Sequence, residues 1–368
     1  MKLNPNALDA PMSDVRPHPI PAEPTTRDRI ARAHRSFNTR RLPSRELVDL
    51  TGPDERPAIG DVVLARVAEI GQHTRLQLTT GRRATLHPGD EILVCYGARY
   101  APNQFEAYVP DDLGRCHLVA AGGIAGEVET QHRSMRKPTV IEPIGLVVDG
   151  SGTRVNLRDY TLDARADWSP MLAIAVVGTS MDSGKTTTAA ALIRGLRRSG
   201  LRVGAAKLTG TGAGGDYWQF RDSGASPVWD FVDAGYPTTY RIGQEALLDA
   251  ADVLTSNLSQ QELDVMVLEV ADGVLQPETR ALLTSGVFRN RVTRLLLAAT
   301  DAMGADSGVR MLTECGVAVS AISGALTQSR LAAREAEQAT GLTTLSVGQL
   351  EQAGIGARLL ELDRAPHR

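Results

Sequence analysis

The spacing of apolar positions changes character twice along this chain. Residues 1–26 hold Pro5, Pro11, Pro17, Pro19, Pro21 and Pro24 with few large apolar side chains, a composition that cannot repay the entropy of ordering and predicts a flexible tail. Arg27–Arg41 (RDRIARAHRSFNTRR) predicts a short basic helix carrying Ile30 and Phe37, which either packs on the body or meets RNA or phosphate. From Gly60 the pattern becomes short β-branched and alternating runs: DVVLARVAEI, TRLQLTT, RRATL, DEILVCY, QFEAYV, CHLVAAGG and PIGLVV. Turn signals at Thr80-Gly81, Pro88-Gly89-Asp90 and Asp149-Gly150 separate them, so a small antiparallel β-barrel or sandwich is expected here.

After Trp168-Ser169-Pro170 the runs MLAIAVVG, LRVGAAKL, LDVMVLEV, RLLLAAT and VAVSAI are apolar on both faces, as buried parallel strands are. Helical stretches TTTAAALIRGLRRSG, EALLDAADVLTS, DSGVRMLTECG and LAAREAEQATG alternate with them. Alternation of this kind predicts a doubly wound, mainly parallel α/β sheet. The expected organisation is a tail and basic helix over residues 1–57, a β-barrel-like domain over 58–165 and a nucleotide-binding α/β domain over 171–368.

Composition narrows this only a little. A chain of 368 residues with 42% hydrophobic content suffices for two cores, and a formal net charge of -3 advertises neither nucleic acid nor an anionic membrane. Cys95, Cys116 and Cys315 lack C-x-x-C spacing, which fits a reducing cytoplasm better than a zinc or disulfide framework. The start MKLNPNALDA has no signal-like apolar run, and no stretch of about 18 apolar residues occurs, so neither export nor membrane spanning is expected. His73, His87, His117 and His132 show no ligand spacing, and Arg133, Arg136 and Lys137 read as a loop that is either solvated or anion-binding.

The chemistry concentrates at Gly178-Thr179-Ser180-Met181-Asp182-Ser183-Gly184-Lys185-Thr186-Thr187, which joins an apolar strand to an alanine-rich helix. That is the context of a phosphate-binding P-loop, here G-x5-G-K-T with one residue more than the common spacing. Gly178 and Gly184 admit a tight turn, and Thr179, Ser183 and the helix N-terminus offer donors to phosphate. Lys185 would neutralise β and γ phosphates, Thr186 would place its hydroxyl on Mg2+, and Thr187 would neighbour the phosphates. The LDVMVLEV run ends at Glu269, a candidate Mg2+ ligand, with Asp272 behind it. Lys207 emerges at the C-terminal edge of its strand, beside Gly210, Gly212, Gly214 and Gly215, where open α/β sheets bind ligands.

Gly178-Thr179 followed by Gly184-Lys185-Thr186 with the longer loop, together with Arg202-Val203-Gly204-Ala205-Ala206-Lys207, resembles dethiobiotin synthetase and its P-loop relatives over roughly residues 171–350. The resemblance implies ATP and Mg2+ as cofactors, a small carboxylate or amine substrate and a homodimer. It implies Lys207 on the strand next to the P-loop strand, touching substrate and the transferred phosphate, and Asp182 near the loop end where relatives carry a glutamate. It also implies Glu269, with Asp216 as a second acid, near the metal. Ile322–Thr327 stands where relatives place an adenine-reading asparagine. A further likeness, over Trp229–Tyr240, is to the P-loop family containing bacterial D-amino-acid N-acetyltransferases. The expectation is an ATP-dependent, Mg2+-requiring phosphoryl-transfer enzyme of ligase or kinase type, with a nucleotide-hydrolysis switch or cofactor-delivery ATPase acting on a protein as the alternative.

Overall fold

A computed structural model describes residues 24–164 and 166–361, so most of the proline-rich segment lies outside the described residues. The basic segment is α-helical only over α1 (Thr26–Arg32), closed at its start by a Thr25–Asp28 capping box, and Phe37 lies in a separate 3-10 turn, Phe37–Thr39. Its arginines are largely engaged within the chain. Arg29 pairs with Glu91 at 2.6 Å, and Arg35 donates to the carbonyls of Thr39 and Leu42. Arg41 donates to the Tyr160 and Thr161 carbonyls.

The first sheet has nine strands among the described residues, and five of them form its ring: β1 (Val62–Glu69), β2 (Glu91–Tyr96), β3 (Cys116–Ala120), β4 (Ile124–Gln131) and β5 (Thr139–Val148). Antiparallel pairings run β2 to β1 to β5 to β3 to β4, and a short parallel pairing of Ile124 and Ala125 with Cys95 and Tyr96 closes the ring into a barrel. Val63, Ala65, Val67, Ile92, Val94 and Tyr96 fill its interior. The alternate residues Val62, Leu64, Leu93 and Cys95 are also buried, against Ile30, Leu157, Phe231 and Val232. Both faces of β1 and β2 are therefore covered, which is why these two runs read as nearly continuous apolar sequence rather than strict alternation.

The second sheet is parallel throughout. Its strands are β6 (Leu172–Gly178), β7 (Val203–Lys207), β8 (Val228–Asp230), β9 (Val265–Glu269), β10 (Arg294–Ala298) and β11 (Ala321–Ser323), in spatial order β8-β7-β9-β6-β10-β11. Helix α2 (Lys185–Arg198) packs Ala189, Leu192 and Ile193 with Ile174 and Val176 on one face. Helices α4 (Gln244–Ser259), α5 (Pro277–Thr284) and α6 (Ala302–Glu314) bring Leu247, Leu254, Leu282 and Leu312 to Ala173, Ala175 and Val177 on the other. Helix α3 (Gly214–Asp222) follows β7. This is the doubly wound architecture expected from the alternating runs, with helices covering both faces of the sheet. Among the described residues no helix is long and apolar enough to cross a membrane.

The order of strands corrects one expectation. The Lys207 strand is not next to the P-loop strand, because β9 lies between β7 and β6. Register explains the consequence: Glu269 is the lateral neighbour of both Val176 on β6 and Lys207 on β7.

Candidate functional site

Strand β6 ends in a loop whose shape dictates its residues. A Cβ on Gly178 would sit 2.3 Å from Ser183 Oγ and 2.7 Å from Lys185 Cγ, so only glycine fits where the loop folds back on its strand. Gly184 caps α2 with a left-handed φ of 93°, and Asp182 also has a positive φ of 63°. The loop is braced from behind by Thr179 N–H on the Ala298 carbonyl at 3.0 Å and by Ala325 N–H on the Ser183 carbonyl at 3.0 Å. Ile322–Thr327 thus backs the phosphate loop through Gly324 and Ala325.

Lys185 is buried, with Nζ donating to the Ser180 carbonyl at 2.7 Å. Burial pulls its pKa down, opposed by Glu269 and Asp272. Thr186 Oγ1 donates to Glu269 Oε1 at 3.0 Å, bringing together two residues separated by 83 positions. Glu269 is 1% exposed, and burial, helped by the nearby Asp216 charge, pushes its carboxyl up to about 7. Among the described residues its other oxygen has no hydrogen-bond partner, nor do the buried hydroxyls of Thr179 and Ser183. A buried polar atom left unpaired costs about 1–3 kcal/mol. Three such residues around one loop mark a place built to receive donors and acceptors from a ligand.

Lys207 and Asp216 form an ion pair at the mouth of the same cavity. Burial would lower the Lys207 pKa, but Asp216 and Glu269 outweigh it and hold the ammonium charged well above its usual range. For Asp216 burial likewise acts against ionisation, and Lys207 overcomes it, so its carboxylate stays below its ordinary pKa. Asp216 sits in the first turn of α3, where a negative charge suits the helix dipole.

A cavity of about 420 Å³ joins these groups, with Lys185, Thr186, Lys207, Asp216, Glu269 and Asp272 on one side. Asp182 and Thr187 line it too, and Asp182 accepts from Asn103 Nδ2 at 2.8 Å. Its other wall comes from the barrel: Arg99, Tyr100, Ala101 and Gln104. Sequence reasoning missed that wall, since a charged residue between two short strands is ordinarily solvated. Arg133, Arg136 and Lys137 are exposed and do not line the cavity.

The glycines after Lys207 serve a different purpose from the one expected. A Cβ on Gly212 would meet Asn38 Oδ1 at 2.4 Å and the Pro237 carbonyl at 2.6 Å, and one on Gly214 would meet Gln77 Nε2 at 2.5 Å. The Asn38 and Gln77 contacts are with the barrel side of the molecule, and none of these contacts is a phosphate cradle. Asn38 Nδ2 donates to the Gly212 carbonyl at 3.1 Å, and Gly214 N–H donates to Gln77 Oε1 at 2.8 Å. Gly210 alone of this group stays with the site, packed against Lys207 Cε. The Trp229–Tyr240 stretch is a second joint, where Arg40 binds Asp230 and Asp233, both at 2.6 Å, and Tyr240 Oη donates to Glu106 Oε1 at 3.1 Å.

Among the described residues no cluster of three or more His, Cys, Asp or Glu could hold a metal ion alone. Mg2+, however, takes one or two protein ligands together with phosphate oxygens and water. The Thr186–Glu269 pair with the orphaned Glu269 oxygen fits that demand. Asp216 is engaged by Lys207 and fits it less directly.

No protein-family model matches the chain, and no curated protein matches it significantly. Solved structures resembling it include the signal recognition particle 54 kDa protein from Aeropyrum pernix K1 in complex with GDP, at 19% identity over 55% of this chain and 50% of that one, TM-score 0.34. The signal recognition particle receptor FtsY from Elizabethkingia anophelis in complex with GDP follows at 17% over 54% and 65%, TM-score 0.36. A DUF1611 family protein from Anabaena variabilis stands at 18% over 57% and 63%, TM-score 0.37. The match spans half to just under two thirds of those chains. Likenesses this distant say nothing of substrate, and the assignment of a P-loop NTPase fold rests on the sheet order and the strand–loop–helix geometry themselves.

Proposed function

We propose that the cavity binds a nucleoside triphosphate, ATP by the dethiobiotin synthetase-like resemblance, with Mg2+, and transfers its γ-phosphoryl group to a small carboxylate or carbamate. The carrying observation is that a second, largely buried ammonium, Lys207, faces the cavity beside Lys185 and the Thr186–Glu269 pair. Lys185 and the loop donors hold the β and γ phosphates, while Thr186 and Glu269 hold the metal. Bound Mg2+ supplies charge neutralisation across the phosphate oxygens. An acceptor oxygen forms the new bond to the γ phosphorus as the bond to the β-γ bridging oxygen breaks, and that electron pair leaves with ADP. Lys207 stabilises the charge on the moving group, work that phosphoryl transfer needs more than covalent help. The product, an acyl or carbamoyl phosphate, then meets an amine or water. The resemblance further supports a homodimer, and three free cysteines support a cytoplasmic location.

A second reading is a nucleotide-hydrolysis switch or delivery ATPase acting on a protein. It is favoured by the bonds from Gly212 and Gly214 to Asn38 and Gln77, which couple the segment before Asp216 to the barrel. Lys207→Ala separates the two. The transferase reading expects nucleotide affinity within a few-fold and acceptor-dependent ADP formation slowed by about 10² or more. If hydrolysis is unchanged in the variant, and a protein partner stimulates it where no carboxylate does, the transferase reading fails.

A further inference from the structure

Arg99 is the buried cation for which the barrel supplies no counter-charge. Its side chain is 7% exposed, yet among the described residues it forms no ion pair. Its partners are neutral: Nη2 donates to Gln104 Oε1, and Nη1 lies 3.2 Å from His73 Nε2. The Nε hydrogen has no acceptor among the described residues. Burial pulls the guanidinium down to about 10, which leaves it charged at neutral pH. Two other largely buried cations are matched to acids, Arg40 by Asp230 and Asp233 and Lys207 by Asp216, while Lys185, which also lacks an acid partner, lines the same cavity. Fixing a guanidinium with neutral hydrogen bonds while withholding a carboxylate is costly unless something else supplies the anion.

That anion has one place to come from, because Arg99 lines the cavity that also holds Lys185 and Lys207. We propose that Arg99 is a carboxylate-binding residue of this cavity, presented by the barrel to the acceptor. The inference rests on the transfer reading for the word acceptor, while the anion site itself rests on Arg99 alone. Phosphate is the competing oxyanion. The nucleotide's phosphates already have Lys185, the loop amides and the α2 N-terminus on the opposite wall, and Arg99 is carried on the other sheet. A planar guanidinium with a free Nε edge suits the paired oxygens of a carboxylate. The substrate class that follows is a small acid, with one carboxylate on Arg99 and the phosphoryl-accepting oxygen toward Lys207. The barrel is then half of the substrate site and not an appendage to it.

Calorimetry with malonate as the probe tests this, on the full chain with and without saturating Mg·ADP, alongside Mg·AMPPNP titrations. Wild type should bind malonate, and Arg99→Met should weaken it by at least about tenfold, with Arg99→Lys in between. Mg·AMPPNP affinity should stay within about twofold. Since Met removes a charge that has no partner, the thermal midpoint of Arg99→Met should be equal or higher. A lower midpoint with unchanged malonate binding would make Arg99 structural and overturn the proposal, and loss confined to Mg·AMPPNP would overturn it in favour of phosphate. If wild type binds no Mg·AMPPNP yet binds malonate through Arg99, the nucleotide reading fails and the anion site stands.

Discussion

Besides Lys185, three largely buried cations, Arg40, Lys207 and Arg99, are compensated in three different ways. Arg40 is matched by two carboxylates and stacks 4.1 Å above the Phe37 ring, which makes it an internal rivet between the N-terminal segment and the turn after β8. Lys207 has one carboxylate and a share of a cavity. Arg99 has neutral partners, and His73 feels the result. Burial first, and the Arg99 charge second, push the His73 pKa down to about 4. Its Nε2 lies 3.0 Å from the Val119 carbonyl and 3.2 Å from Arg99, and a protonated ring would turn an N–H toward the guanidinium. A folded pKa below the unfolded value of about 6.5 means that the unfolded chain binds the extra proton first. This contribution is therefore fully present above about pH 6.5 and is lost as pH falls toward 4. The loss should reach at most on the order of 3 kcal/mol. Denaturant unfolding of wild type and His73→Gln from pH 7 to 4 checks it: the wild type should lose more stability than the variant across that window, and parallel curves would show that His73 titrates normally.

At the level of elements, the phosphate loop was legible because its information is local. Two glycines, a lysine–threonine pair, an apolar strand before and an alanine-rich helix after all fall within about twenty residues. Glu269 and Lys207 were legible as polar ends of apolar runs. Strand β4 was not, because Glu127, Glu129, Thr130 and Gln131 dilute its apolar signal, and β8 is only three residues long. The glycine-rich turn misled for another reason: besides the Pro237 carbonyl, what crowds Gly212 and Gly214 is Asn38, Gln77 and Phe37, more than 130 positions away. Gly122 shows the same joint from the barrel side, since its Cβ would stand 2.1 Å from the Gly212 carbonyl and 2.8 Å from Ala213 Cα. Those are backbone atoms that cannot rotate away. Gly122→Ala should therefore cost about 1–3 kcal/mol, whereas Gly215→Ala, with no atom within 4 Å and a helical position, should be neutral or slightly stabilising. Thermal midpoints of the two variants decide it, and equal midpoints would mean the joint is loose.

Across the whole molecule, the cavity is the meeting point of two sheets. The parallel sheet brings Lys185, Thr186, Lys207 and Glu269 to its C-terminal edge, and the barrel closes the space with Arg99 to Gln104. Asn103 on Asp182 and Tyr240 on Glu106 tie the two together at the rim. Both the transfer and the switch readings need a triphosphate on the Gly178–Thr186 loop, so that occupancy is the claim on which the account depends. Lys185 faces the cavity and its Nζ bonds only a loop carbonyl, so its removal should spare the fold. Calorimetric titration of Mg·ATP and Mg·GTP into wild type and Lys185→Ala is the direct measurement. The account predicts binding of at least one nucleotide by wild type and a loss of about tenfold or more in the variant, with the thermal midpoint kept. Equal affinity in both proteins, or no binding of either nucleotide to wild type, would contradict it.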